Sequence, residues 1–368
     1  MRNNIVYLSG LNGLRTIAAL SVVVSHIALS INKFNVRIYL FGINGKGLPN
    51  AWYLGSNGVT MFFVLSGFLI TYLLLLESNK AAINIKNFYM RRVLRIWPIY
   101  YLYFFVCLLL LFIMGKSVGL NAFFYYLFFA ANIPFIFEFT LPFLDHFWSI
   151  GVEEQFYLFW PWLIKKTKEN RFSIILSLIV IINIVRYLLW WKVPFSESAI
   201  FSIVNRFDCM MVGGLGAMLY ESKNSFFIKL VDNKITQLIA WLCIVLIGCN
   251  IKFINSIIDT SIITIVSLVL IIGQISVKNR LINLDRPIFN FIGKISYGIY
   301  VYHVLLIFLF SKLLGDFQIL EPYKFVLVYF SIITTAIFIA YISYEYFEKK
   351  FIKKKNRFAV IKSSSSKN

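Results

Sequence analysis

The sequence has few charged side chains, and acidic ones are scarcer than basic ones. Asp, Glu, Lys and Arg make up 14% of its 368 residues, while 60% are hydrophobic. A soluble domain carries about a quarter charged residues, so this composition excludes an ordinary soluble protein and requires a lipid solvent. A net charge of +20 suggests nucleic acid in a soluble protein. Here the basic residues form short clusters between apolar runs and build no continuous basic face, so we predict no nucleic-acid partner.

Cysteine is also rare. The cysteines lie in apolar stretches, without the spacing of a metal site or a disulfide framework: Cys107, Cys209, Cys243 and Cys249. We interpret them as packing residues. No ligand cluster is present to hold a metal, and we predict no metal site and no tightly bound cofactor.

Long apolar runs dominate the chain. Crossing a bilayer takes roughly 20 apolar residues. Eleven segments are candidate spans: 12–31, 58–76, 93–114, 121–137, 148–164, 172–191, 200–220, 236–252, 258–276, 288–314 and 325–347.

The distribution of Lys and Arg decides between ten and eleven spans, because these residues collect in cytoplasmic loops. If 121–137 does not cross, 24 basic residues lie inside and 8 outside; if it crosses, 10 lie inside and 22 outside. We therefore predict an all-α, polytopic transmembrane bundle of about ten helices in the cell (inner or plasma) membrane, with both termini cytoplasmic. Segment 115–147 becomes a re-entrant or interfacial external segment. One membrane domain covers 1–348, and 349–368 is predicted to be a basic, disordered tail near anionic headgroups.

The first helix carries two ionisable residues, Arg15 and His26. Such groups are costly inside a membrane and indicate function by default. Eleven residues at about 100° each end about 20° from three full turns, so both side chains share a face, roughly 16 Å apart along the axis. The alternative is a snorkelling arginine and a packing histidine. Because the run lacks a convincing cleavage site, we interpret it as a mature helix rather than a signal peptide.

Three arginines stand at the cytoplasmic mouth of the third helix: Arg91, Arg92 and Arg95. Arg92 and Arg95 share a helix face. Guanidinium groups bind phosphate through bidentate, charge-assisted hydrogen bonds. The cluster therefore suits the phosphates of a cytoplasmic donor such as acetyl-CoA, and the alternative is a plain positive-inside anchor.

Two adjacent carboxylates, Glu153 and Glu154, enter the next helix from the outer side. They could orient and charge a nearby imidazole, or bind a sugar hydroxyl. The alternative is a solvated pair at a helix start.

Other polar residues are candidates for substrate binding: Trp148, Arg206, Asp208, Tyr297 and His303. For Arg206 with Asp208 we favour a structural ion pair. Asp145 and His146 could line an acceptor groove, and Arg186 and Lys294 have the positions of snorkelling end residues.

These motifs resemble the integral-membrane acyltransferase-3 family, which includes bacterial O-acetyltransferases of surface polysaccharides. The matching pieces keep their order over roughly residues 10 to 350: Gly13-Leu14-Arg15 with His26, Ser66-Gly67-Phe68, Arg91-Arg92 with Arg95, Phe147-Trp148-Ser149 with Glu153-Glu154, Arg206-Phe207-Asp208 with Gly213-Gly214, and Ser296-Tyr297 with Tyr300 and His303. Each piece is weak alone, and six in order are specific.

The resemblance implies a cell-envelope O-acyltransferase that moves an acyl group from cytoplasmic acyl-CoA to a hydroxyl of a cell-surface or lipid-linked glycan. It implies that His26 is essential, as base or transient acyl carrier, that Arg15 supports it, and that Arg92 and Arg95 bind acyl-CoA. Some members append an extracytoplasmic hydrolase-like domain, and this sequence ends without one. Whether a separate envelope protein hands the acyl group onward therefore stays open.

Two other classes of function stay open at this stage. A transporter or flippase would share the intramembrane charges but would need alternating access, which internal symmetry would indicate. A structural or assembly subunit would use the polar residues to join helices. The acyl chain (acetyl or succinyl) and the acceptor are not determined, because fold does not fix substrate.

Overall fold

The computed structural model describes residues 5–364, which are almost entirely helical. The longer helices are α1 (Leu11–Leu29), α2 (Trp52–Ser78), α3 (Ile85–Ile113), α6 (Trp148–Lys166), α7 (Arg171–Lys192), α9 (Phe207–Glu221), α11 (Lys234–Gly248), α12 (Ser256–Ser276), α14 (Ser296–Leu314) and α15 (Glu321–Ser343). The shorter ones are α4 (Leu120–Leu127), α5 (Asn132–Ile136), α8 (Glu197–Val204), α10 (Ser225–Val231), α13 (Pro287–Lys294) and α16 (Lys349–Lys355). Two short strands are β1 (Ile5–Tyr7) and β2 (Lys362–Ser364).

The all-α, multi-pass architecture is confirmed. Seven helices of the described chain are long and apolar enough to cross a membrane, and an eighth span results if α10 and α11, which meet at 52°, are counted as one. Every predicted span contains helix, but two are broken. The 200–220 span divides at residues 205–206 into α8 and α9, and the 288–314 span divides at Ile295 into α13 and α14.

Segment 115–147 contains no helix of spanning length. It consists of α4, α5 and a 3-10 turn, Asp145–Phe147, folded against the neighbouring helices. Two tyrosines of α3 hold it by donating to backbone carbonyls, from Tyr100 to Tyr126 O (2.6 Å) and from Tyr101 to Leu127 O (2.8 Å). The segment is therefore a folded cap that delivers His146 and Trp148 to the start of α6.

Helices α2 and α9 pack closely against each other, because glycines allow their backbones to come into contact. A Cβ atom on Gly67 would lie 1.9 Å from the carbonyl oxygen of Met210, and one on Gly213 would lie 2.2 Å from that of Val64. Small residues allow such close packing between membrane helices. This contact fixes α2, which also packs along α1 and so supports His26.

The first and last strands of the described chain pair at one end of the bundle, here called the terminal face. Strands β1 and β2 pair in parallel, with Ile5 opposite Lys362. The predicted disordered tail differs from the structure: 349–355 form α16, which continues from α15 through a π-helical turn, Tyr344–Glu348, and Asn356–Phe358 form a 3-10 turn. Helix α16 packs on α3. Residues 365–368 of that predicted tail lie outside the described residues.

Candidate active site

His26 of α1 lies against His303 of α14. Their rings are nearly parallel (3°) with centroids 4.9 Å apart, and His26 Nδ1 is 2.6 Å from His303 Nε2, so the rings meet edge to edge. The other ring nitrogen of His303, Nδ1, is 2.6 Å from the carbonyl oxygen of Tyr300. Both imidazoles lie inside the bundle, and His303 is fully buried. The first-helix histidine therefore has a partner 277 residues away in sequence.

The hydrogen-bond chain determines where the protons lie when both rings are neutral. A carbonyl oxygen only accepts, so His303 must donate to it from Nδ1 and keep Nε2 as an acceptor. His26 must then donate from Nδ1, which leaves its own Nε2 with a free lone pair. The arrangement has the logic of a catalytic triad, with a backbone carbonyl and a second imidazole in place of the acid.

A small cavity of about 20 Å³ opens beside His26. It is lined by residues of α1, α2, α6 and α14, namely Val22, Ser25, His26, Trp52, Gly55, Ser56, Val59, Trp148 and Tyr300. A volume of this size holds about one water molecule. The site can therefore present a hydroxyl-sized group to the imidazole. Of the residues predicted to bind substrate, Trp148 lines this cavity and His303 contacts His26.

A larger cavity, here called the cationic cavity, opens between this site and the terminal face. Its volume is 260 Å³. Six cations and three carboxylates line it: Arg15, Arg91, Arg92, Arg95, Lys294, Lys355, Glu77, Glu153 and Glu348. The fold thus brings Arg15 of α1 together with the arginine cluster of α3.

The three clustered arginines differ in what they bind. Arg91 is engaged, donating to Glu77 (2.8 Å) and to the carbonyl oxygen of Phe358 (2.7 Å). Arg92 lies over the rings of Phe88 and Tyr157, with its Nε unpartnered. Within residues 5–364, Arg95 forms no hydrogen bond and no ion pair. Arg91 therefore joins α2, α3 and the C-terminal segment, whereas Arg92 and Arg95 are available to an anion.

The two glutamates are not arranged as predicted. Glu153 faces the cationic cavity, where it accepts hydrogen bonds from Ser66 (2.5 Å) and Tyr157. Glu154 accepts from Trp97 (2.9 Å). In the described chain neither is hydrogen-bonded to a histidine, so the expectation that they orient His26 from the outer side is not met. The reason is rotational: α6 turns Glu153 towards the cationic cavity and Glu154 towards Trp97 of α3, and His303 occupies the place beside His26.

The predicted pairing of Arg206 with Asp208 is wrong. Asp208 forms a two-pronged ion pair with Arg186 of α7, at 2.6 and 2.8 Å. Arg206 instead donates to Ser56 and Thr60 of α2 and lies 5.9 Å from the centroid of the Trp148 ring. Arg186 is 1% exposed, so it does not snorkel. The helix break before α9 separates Arg206 from Asp208, so that Arg206 bonds to α2 and Asp208 pairs with α7.

Tyr300 stands between the two cavities, and it lines both, together with Val59. Its hydroxyl is 2.6 Å from Ser149 Oγ and donates to the carbonyl oxygen of His146 (2.7 Å). Tyr297 lines the cationic cavity and donates to Ile96 O at 3.2 Å. Tyr300 and Val59 therefore lie at the boundary between the cationic cavity and the cavity beside His26.

His146 lies within the bundle rather than in an exposed groove. Its Nε2 is 3.1 Å from Val301 O, and its ring centroid is 5.0 Å from that of His303. Its Nδ1 has no hydrogen-bond partner within residues 5–364. Sequence reasoning placed it at an outer surface because the folding of 115–147 onto the helices could not be foreseen.

No cluster of His, Cys, Asp and Glu side chains suited to a metal ion occurs in residues 5–364. Sequence reasoning overlooked Ser66 and Ser149, which bind Glu153 and Tyr300, and Lys355, which reaches the cationic cavity. Tyr300 and His303 are three residues apart in a helix, and this spacing could have indicated the contact between His303 Nδ1 and the carbonyl oxygen of Tyr300.

A family profile and named relatives match most of this chain. The profile of the acyltransferase-3 family, described as an acyltransferase domain, matches residues 8–345. A Staphylococcus aureus (strain COL) protein named "Putative O-acetyltransferase SACOL0978" is 29% identical over 94% of this chain and 58% of its own length. The "O-acetyltransferase OatA" of S. aureus (strain NCTC 8325 / PS 47) is 32% identical over 43% of this chain and 25% of its own length. This chain thus spans little more than half the length of the first of these relatives. No solved structure matches it. The chain belongs to the acyltransferase-3 family.

Proposed function

We propose that this membrane acyltransferase transfers an acetyl group from cytoplasmic acetyl-CoA to a hydroxyl group of a cell-surface or lipid-linked glycan. The names of the relatives support acetyl as the group and oxygen as the acceptor. The observation that carries the proposal is the meeting of two different cavities at Tyr300: one rich in unpaired cations, the other holding the free Nε2 of His26.

The cationic cavity suits the nucleotide end of the donor. Arg92 and Arg95 offer guanidinium groups to phosphate oxygens, which they can bind with paired hydrogen bonds. The positive-inside distribution favours the terminal face as the cytoplasmic one, the side where CoA thioesters occur. The slim pantetheine arm would then extend past Arg15 towards Ser149 and Tyr300. Displacement of the Tyr300 side chain would admit the thioester to His26.

The free lone pair of His26 can act as a general base. In the direct route, Nε2 takes the proton of the acceptor hydroxyl while its oxygen bonds to the thioester carbonyl carbon. The C–S bond then breaks, and the CoA thiolate receives the proton from the imidazolium. In the alternative route, Nε2 itself attacks the carbonyl carbon, the C–S bond breaks and CoA leaves as the thiolate. The acceptor oxygen then bonds to the acetyl carbon, the C–N bond to the imidazole breaks, and the hydroxyl proton passes to the thiolate. In both, His303 accepts from Nδ1 of His26 and stabilises its positive charge.

The acceptor would approach from the opposite side, past Trp148 and Trp52, which line the His26 cavity. Aromatic rings offer an apolar face to sugar C–H groups and a polar N–H edge. Arg206, fixed to α2 and lying over Trp148, would hold that ring in place. Acetyl-CoA is here a donor substrate rather than a bound cofactor.

The test is CoA release from acetyl-CoA by the purified protein in lipid nanodiscs, with a lipid-linked glycan fraction as acceptor. Wild type should release CoA and acetylate the acceptor, whereas His26→Ala and His26→Gln should do neither, although both fold. Gln keeps a hydrogen-bonding side chain but cannot accept the proton or the acyl group. Equal release by wild type and both variants would refute the proposal. Passage of intact acetyl-CoA or glycan across liposomes without CoA release would instead support a transporter.

A further inference from the structure

The C-terminal segment forms one wall of the cationic cavity. From the π-helical turn to the start of β2 it contributes Tyr344, Glu348, Ile352, Lys355, Asn356, Ala359 and Ile361 to the lining. Pairing of β2 with β1 holds its end, and the hydrogen bond from Arg91 to Phe358 O holds its middle. The segment is therefore a built part of the site rather than an appended tail.

One lysine of this segment differs from its neighbours. On α16, Lys349 is paired with Glu345, and Lys353 and Lys354 are exposed. Lys355 is partly buried and lines the cavity, three residues from Ile352 and so on the same helix face. Within residues 5–364, its ammonium group forms no hydrogen bond and no ion pair.

The cations around Lys355 outnumber the carboxylates of the cationic cavity, six to three. Lys355 lies within electrostatic range of Arg95, Arg92 and Arg15. Of the three carboxylates, Glu77 pairs with Arg91, whereas Glu153 and Glu348 accept hydrogen bonds from the hydroxyl groups of Ser66, Tyr157 and Ser343. Gathering like charges away from bulk water is costly unless an anion joins them. A phosphate group, with charge of about −2 and three acceptor oxygens, would meet this requirement.

We propose that Lys355 is a phosphate ligand of the acyl donor and that the C-terminal segment thereby completes the donor site. The inference rests on the proposed function and deepens it. Arg92 and Arg95 would reach the phosphates from α3, and Lys355 would reach them from α16, which packs on α3. An anionic lipid headgroup carries the same chemistry, so the experiment must separate the two sources.

The test measures CoA binding to full-length protein in zwitterionic nanodiscs, comparing wild type with Lys355→Met and Lys353→Met. Lys353 is the matched control, because it is on the same helix but exposed. Loss of one charge-assisted hydrogen bond should weaken CoA binding by Lys355→Met at least about tenfold and flatten its salt dependence. Lys353→Met should stay within about twofold of wild type, and Lys355→Arg should restore most of the affinity.

Two results overturn the inference. One is equal CoA affinity for Lys355→Met and Lys353→Met when both unfold at the wild-type temperature. The other is a Lys355→Met effect on retention of phosphatidylglycerol in mixed-lipid nanodiscs without an effect on CoA, which would assign the lysine to a headgroup. If wild type itself binds no CoA, the proposed function fails as well, so the two failures are distinguishable.

Discussion

Replacement of His303 by leucine tests the hydrogen-bond chain to His26. The substitution removes the Nε2 atom that accepts from His26 Nδ1 at 2.6 Å and leaves that N–H buried without a partner. His303 does not line the cationic cavity, so donor binding should not depend on it. We expect kcat to fall and KM for acetyl-CoA to stay within about twofold.

The substitution causes two losses. A hydrogen bond to a charged imidazolium is worth about 1.5–3 kcal/mol, and an unsatisfied buried donor costs about 1–3 kcal/mol. Because His26 becomes charged only during the reaction, most of the first loss falls on the transition state. The unpaired N–H is buried before as well as during the reaction, so its cost cancels in kcat, and the loss of about 1.5–3 kcal/mol at the imidazolium alone corresponds to an about 10–10²-fold lower kcat. His303→Gln, which keeps an acceptor near the Nε2 position, should recover to within about tenfold of wild type.

The assay follows CoA release at saturating acetyl-CoA with a thiol-reactive dye. His146→Leu is the matched control, because His146 is also buried but bonds to Val301 O rather than to His26. Thermal unfolding of both variants measures any loss of fold. If His303→Leu retains a third or more of the wild-type kcat, or if the two leucine variants are equally impaired, the reasoning about the proton positions is refuted.

The remaining predictions concern the cationic cavity and the packing around it. Arg95→Ala should raise KM for acetyl-CoA about tenfold or more, because a ligand for the anion is lost. Arg91→Ala should mainly lower the unfolding temperature, because it removes the hydrogen bonds to Glu77 and Phe358 O. Steady-state kinetics and thermal unfolding distinguish the two variants, and equal effects on KM would contradict the assignment. Gly67→Ala should prevent correct folding, since the added Cβ would meet backbone at 1.9 Å, while Gly248→Ala meets nothing within 4 Å and should be neutral in detergent-stability assays. Asp208→Asn should destabilise the fold by about 3–5 kcal/mol, because it leaves a buried arginine without its counter-charge, without changing kcat per folded molecule; a normal unfolding temperature would show that the ion pair is dispensable.

Composition and local spacing were enough to predict the class of fold and part of the site. Scarce charge and long apolar runs lead to a helical membrane bundle, because only helices satisfy the backbone in lipid without a closed barrel. The spacing of Arg15 and His26 depends on one helix alone, and so does that of Arg92 and Arg95. These features follow from helix geometry, which tertiary structure does not alter.

The pairing of polar groups between helices was not predictable in the same way. In a low-dielectric interior every buried polar group needs a partner, but nearly uniform apolar helix surfaces do not specify which faces meet. Asp208 therefore paired with Arg186 rather than Arg206, and Glu153 turned to the arginine side.

The sequence by itself determined that costly polar groups would lie inside a membrane bundle, and on which helices. Only the tertiary structure decided that His303 would accept the hydrogen bond from His26 Nδ1 and that Lys355 would line the cationic cavity. The physical reason is that burial of a polar group creates its need for a partner at that position in the chain. Which partner it finds depends on how the helices are rotated and which of them are in contact, across hundreds of residues. Close packing, such as that of Gly67 on α9, sets these rotations and contacts.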